Sequence, residues 1–153
     1  MLTLLAITMG AATVPSAAQA KAFCEVGRAE LRDLPPADTS GRSDSFYAAQ
    51  DTNRRDLLVV CPKLQGGLPP GYRMADDDAR RRAALHAPLP GVTTRPAFIY
   101  IAQASQMSAD LRAATIRLSY ECTGLCGGDF EAHYIRTAKG WRRQGEVRTL
   151  SVS

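Results

Sequence analysis

Charge is missing from one end of this sequence. The first twenty of its 153 residues, Met1 to Ala20, contain no Lys, Arg, Asp or Glu. Leu2, Leu4, Leu5 and Ile7 open an apolar run that continues to Val14, where Pro15 and Ser16 break it. Ala18-Gln19-Ala20 then supplies a small-x-small cleavage pattern. Residues 1–20 therefore read as a secretory signal peptide with Lys21 as the first mature residue, although the n-region also lacks the usual Lys or Arg. A long hydrophobic run is lacking too. A membrane-spanning helix needs about 20 apolar residues, and this run is shorter and interrupted by Pro15. Lys21-Ala22-Phe23 before Cys24 offers no small residue of the kind that precedes a lipidated cysteine, which argues against a lipoprotein. The expected location is the periplasm or the medium.

Histidine is nearly absent, with only His86 and His133. Neither is spaced to a nucleophile or to a second ligand. The nucleophile elbow, the zinc-protease helix motif and the phosphate loop are all missing. The sequence assigns no catalytic residue, no metal ligand and no cofactor. Asp129 and Glu131 are a two-carboxylate pair in principle, but they flank a hairpin and read as solvated. Lysine is scarce as well: Lys21, Lys63 and Lys139 are the only ones, and arginine carries most of the net charge of +4. That balance alone is a weak argument for an anionic partner. The expected location argues against nucleic acid.

Four cysteines are present, Cys24, Cys61, Cys122 and Cys126, all after the expected cleavage site. An even number in an exported domain favours disulfides, and four cysteines permit three connectivities. We favour Cys122–Cys126 with Cys24–Cys61. Four residues of straight strand span roughly 13 Å, too far for a bridge. The chain must therefore turn at Thr123-Gly124, where glycine accepts positive φ. A redox dithiol usually has two intervening residues rather than three. Haem attachment needs Cys-x-x-Cys-His, which is absent. A zinc site using Cys122, Cys126 and His133 lacks a fourth ligand.

Removing residues 1–20 leaves 133 residues, 21–153, enough for a single mature domain. Residues 22–36 fit a short helix or a strand, residues 37–45 a polar loop, and residues 46–53 a helical turn. Leu57 to Cys61, ended by Pro62, reads as a buried strand, and residues 66–71 as a turn. Asp76-Asp77-Asp78 followed by Arg80-Arg81-Arg82 reads as a solvated helix with its charges ordered as the helix dipole prefers, ended by Pro88 and Pro90. Ala97 to Gln103 is a β-rich run. Ala114 to Cys122 alternates with period two, the clearest strand pattern in the chain. Phe130, Ala132 and Tyr134 continue it in a third strand. Trp141 to Val152 makes a fourth, with a parity change between Val147 and Leu150 that suggests a bulge. The expected class is α+β: short helices in the first half packed on a C-terminal antiparallel meander of about four strands. A cystatin-like or NTF2-like arrangement suits that order by fold-level analogy.

The C-terminal hairpin carries Tyr120, Cys122, Leu125, Cys126 and Gly127, then Phe130 and Tyr134, then Gly140 and Trp141. In this it resembles small exported bacterial proteins of unknown function whose hairpin reads Tyr-x-Cys-x-x-Leu-Cys-Gly. The resemblance covers about a quarter of the chain and implies no activity. The same hairpin is basic: Arg136, Lys139, Arg142, Arg143 and Arg148 face one acid, Glu146, between residues 136 and 148. Arginines beside Tyr134 and Trp141 suit an anion or a protein partner, although Trp141 also reads as a core anchor. These features point to an exported, disulfide-stabilised binding or accessory module of the bacterial envelope, with a protein or an anionic envelope component as partner. The alternatives are a small periplasmic enzyme with its cleft on the concave face of the meander, or a thiol redox protein.

Overall fold

A computed structural model describes residues 16–50, 56–87, 91 and 93–152. Residues 1–15 of the expected signal peptide, and Pro88 and Pro90, lie outside the described residues. The class is α+β, with short helices in the first half followed by a C-terminal antiparallel meander in an open sheet.

Helix α1 (Ala17–Arg32) starts at a capping box: the Gln19 amide donates to Ser16 Oγ, and the Ser16 amide donates to Gln19 Oε1. Ala22, Phe23, Val26, Ala29 and Glu30 are buried on one face, the three- and four-residue spacing of an amphipathic helix. Its first buried residue is Ala22, so the expected cleavage after Ala20 would leave the buried face whole while taking the Ser16–Gln19 cap. Strand β1 (Asp44–Tyr47) follows, then helix α2 (Leu57–Val60), a 3₁₀ turn over Pro62–Gly67, strand β2 (Tyr72–Met74) and helix α3 (Asp77–Ala83). The meander comprises β3 (Ala97–Met107), β4 (Ala113–Cys122), β5 (Cys126–Thr137) and β6 (Gly140–Val152). The strand order is β2-β1-β3-β4-β5-β6, and β1 runs parallel to both β2 and β3.

Three local expectations are corrected here. Residues 46 and 47 lie in β1, not in a helical turn, because Phe46 and Tyr47 pair with Ile99 and Tyr100. Leu57–Val60 is a helix, not a strand. The Asp56 carboxylate accepts the Leu58 and Val59 amides at 2.8 and 3.4 Å, and this cap starts the turn. Helix α3 ends at Ala83, with Ala84 as its cap, before Pro88 is reached. It is also only partly solvated. Arg82 reaches across to Asp44 at 2.9 Å, where Arg95 and Arg73 join at 3.2 and 3.3 Å. Burial works to raise the Asp44 pKa, but bonds to Arg82 and Arg95 hold it below the ordinary carboxylate range.

The sheet carries helices on both faces. Helices α1 and α2 pack over Tyr47, Ala102, Ala104, Ile116 and Tyr134, while α3 covers Phe46, Ile99 and Ile101 on the other side. The bulge expected in the last strand is present. Ser151 pairs with Asp129 and Thr149 with Phe130, which leaves Leu150 unmatched, and a larger slip follows between Arg148 and Gln144 around Gly145.

Cys24 on α1 is bridged to Cys61 at the end of α2, with Cα atoms 5.3 Å apart. Cys122 and Cys126 face each other across the β4–β5 turn, 5.6 Å apart, and Gly124 has φ +102° as the short loop requires. That turn is docked, not free. Thr123 Oγ1 accepts the Ala97 amide at 3.0 Å and donates to the Arg82 carbonyl at 2.8 Å, and the Gly124 amide donates to the Leu85 carbonyl at 2.7 Å. Thr123→Val strands a buried amide, since Ala97 is fully buried. It is expected to cost about 1–2 kcal/mol in urea denaturation. A loss below about 0.5 kcal/mol, within the range of ordinary surface changes, would show that the tip is held elsewhere.

Candidate functional site

Helix α1 is too short to cover the whole inner face of the meander. Beneath it Ile116, Ala132 and Tyr134 are buried. Beyond its C-terminal end the same face stays half-buried at Phe98, Tyr100, Leu118, Tyr120 and Phe130. All five alternate onto the face of the sheet that α1 packs against, as period two requires. The uncovered part is a cavity of about 470 Å³ between those strands and the end of α1. This is within the usual range for small-molecule sites.

The wall of the cavity is aromatic. Ring centroids of Tyr100 and Tyr120 lie 5.8 Å apart, and those of Tyr120 and Phe130 also 5.8 Å, the latter pair tilted by only 12°. Phe98 stacks on Tyr120 at 6.5 Å and Tyr72 meets Tyr100 at 5.7 Å. Ser45, opposite both Tyr72 and Phe98 in the register, is small enough to let Tyr72 lean across β1. The Tyr72 hydroxyl is held by the Pro35 carbonyl at 2.7 Å. Stacked rings at this spacing form a rigid surface for apolar or planar ligands.

The polar end is built from α1. Glu30 is only 3% exposed and lines the cavity. Its Oε2 accepts from the Tyr47 hydroxyl at 3.2 Å, while Oε1 has no hydrogen-bond partner among the described residues. Burial pushes its pKa up to about 8, with the charges of Asp33 and Asp56 adding to the rise and the Tyr47 bond opposing it. Glu30 is therefore mainly protonated at neutral pH. Asp33, just past α1, accepts from the Tyr134 hydroxyl at 3.1 Å, and burial together with Asp33 raises the Tyr134 pKa.

The residues of the basic hairpin divide. Tyr134 and Trp141 are buried at 2% and 4% exposure, so neither presents a free ring to a partner. Trp141 Nε1 points to Glu25 at 3.4 Å, and Arg136 pairs with the same carboxylate at 3.0 Å. Arg148 is taken up by Glu131 at 2.9 Å on the opposite face of the sheet. Lys139, Arg142 and Arg143 stay exposed and come together with Arg32 and Asp33 around a shallow basin. Arg143 and Asp33 line both this basin and the aromatic cavity, so the two adjoin.

The other chemistry considered is tied up elsewhere. Asp129 accepts from Ser119 Oγ at 2.6 Å and Ser151 Oγ at 2.9 Å and pairs with Arg117. Those bonds hold its carboxyl below its usual range. His133 is exposed beside Thr115 and Glu131. Of these, Ser119, Asp129 and Ser151 border a wider cleft of about 860 Å³ near α3, where their side chains bond to one another. Among the described residues no group of three or more His, Cys, Asp or Glu is placed to hold a metal ion, and no helix is long and apolar enough to cross a membrane.

Sequence reasoning missed Glu30, although a signal existed. Val26 and Glu30 are four residues apart, which puts the carboxyl on the apolar face of any helix through Cys24 and Ala29. The aromatic row was visible only as strand alternation. No protein-family model, curated protein or solved structure matches this chain.

Proposed function

We propose that this chain is an exported, disulfide-stabilised module that binds a small apolar ligand in the cavity at the end of α1. The carrying observation is the half-covered aromatic wall of Phe98, Tyr100, Tyr120 and Phe130, with the unpartnered carboxyl oxygen of Glu30 at the same cavity. A half-covered sheet face of this kind leaves apolar area in water, and covering that area is the favourable step in binding. Two bridges and an uncharged leader suit an oxidising compartment outside the cytoplasm. The two catalytic alternatives have less support: the cavity lining carries no nucleophile–base pair, and Cys122 and Cys126 are separated by three residues, not the two usual in a redox dithiol.

Titration with the neutral dye N-phenyl-1-naphthylamine tests this reading. The dye is expected to brighten at a single saturable site. Thr149→Trp, at the exposed rim beside Phe130, is expected to weaken it by about tenfold, equivalent to about 1.4 kcal/mol. No brightening with the wild-type protein, or equal binding by the variant, would remove the cavity from consideration.

A further inference from the structure

The cavity has an apolar wall but its mouth is strongly cationic, and this asymmetry specifies a ligand. We propose that the occupant is an amphipathic anion: an apolar chain or ring lies on the aromatic wall, and its carboxylate or phosphate head sits among Arg32, Lys139, Arg142 and Arg143. The inference rests on the cavity being a binding site, and adds the chemistry of the head.

Four cations and one acid, Asp33, line the basin that adjoins the cavity at Arg143 and Asp33. Among the described residues none of the four cations makes an ion pair, whereas Arg82, Arg117, Arg136 and Arg148 all do. Glu25 on α1 is already paired with Arg136. Asp33 accepts the Tyr134 hydroxyl at 3.1 Å. Inside the cavity Glu30 is held mainly neutral at pH 7 by burial, so it does not repel an anion. Its protonated carboxyl also has a hydroxyl to donate. Arginine forks suit both planar carboxylate and tetrahedral phosphate, so the head is defined by charge and oxygen atoms and not by one group. A cationic head would meet four like charges, and a neutral one would leave them unused.

Competition against the bound dye with amphiphiles of one chain length, below their micelle concentrations, decides the matter. Decanoate and decyl phosphate are expected to bind about tenfold or more tightly than decan-1-ol at low salt, and decyltrimethylammonium least. The anion preference is expected to shrink at high salt, because the basin is exposed. Arg32→Glu with Lys139→Glu, neither of which lines the apolar cavity, is expected to abolish the preference while decan-1-ol binding stays unchanged, which also shows that the variant is folded. A preference for decanoate over decyl phosphate would identify a free acyl carboxylate as the source of the head, and the reverse order a lipid phosphate. Equal binding of decan-1-ol and both anions, or an unaltered preference in the double variant, overturns the anionic head and leaves the cavity reading standing. Failure of every amphiphile and of the dye overturns both.

Discussion

Glu30→Gln is expected to flatten the pH dependence of stability between about pH 5 and pH 8. In the wild-type protein burial raises the Glu30 pKa from 4.5 to about 8. Between those values the unfolded chain has lost the proton that the folded chain keeps, so stability falls as pH rises through this window. Below about pH 4.5 both states hold the proton and the effect vanishes. Above about pH 8 both have lost it and the full deficit remains. At 1.36 kcal/mol per pH unit the deficit is on the order of 5 kcal/mol, large beside the usual 5–15 kcal/mol of a domain. Glutamine keeps the size of the side chain but cannot ionise. The variant should therefore match the wild type near pH 4.5 and exceed it by several kcal/mol near pH 8. Asp44 and Asp129 act oppositely, because their pKa values are lowered. Their contribution is present above the ordinary carboxylate value and is lost as pH falls through their folded values, a separate and more acidic window. Urea denaturation of both proteins from pH 4.5 to 8.5 reads the difference. Parallel curves across that range would show that Glu30 is not kept protonated by burial.

Removing the Cys24–Cys61 bridge has the second large effect. The two cysteines lie 37 residues apart in the chain. In the chain-entropy view, closing a loop of that length restricts the unfolded chain by about 4 kcal/mol, against about 2 kcal/mol for the short Cys122–Cys126 loop. The long bridge also joins two elements of one core: Cys61 is buried, and Cys24 packs against the same cluster under α1 and α2. Cys24→Ser with Cys61→Ser is therefore expected to lose about 4 kcal/mol. Because α1 supplies Glu30 and is capped by Asp33, dye binding should fall as well. Cys122→Ser with Cys126→Ser should lose about half as much, with Thr123 still holding the tip through Ala97 and Arg82. Chemical denaturation of the two double variants under non-reducing conditions gives the ranking. A smaller loss from the long bridge than from the short one would contradict the assignment of α1 as the element it secures.

Some of this architecture was readable residue by residue. Ala114 to Cys122 alternates so regularly that β4 follows from local pattern. The parity change near Leu150 is the bulge opposite Asp129, and Gly124 marks the turn between the paired cysteines. These features depend on neighbours a few residues away. Leu57–Val60 was misread because a short apolar run satisfies a buried strand and a buried helix equally, and the Asp56 cap decides between them. Strands β1 and β2 escaped because parallel pairing joins segments far apart in sequence, with only three or four residues of pattern in each.

The site divides the same way. The basic character of the C-terminal hairpin, the even cysteine count and the absence of charge from residues 1–20 belong to the sequence alone, since they are properties of composition and local order. Only the tertiary structure decided which hairpin charges remain free. Glu25 takes Arg136 and Glu131 takes Arg148, while Arg32 of α1 joins Lys139, Arg142 and Arg143. It likewise decided that Trp141 and Tyr134 turn inward and that Tyr100, Tyr120 and Phe130 form one half-covered wall. The reason is physical: a pocket exists where a cover ends. Where α1 stops over the sheet depends on contacts between residues up to 116 positions apart, such as Glu25 and Trp141, which no local pattern records.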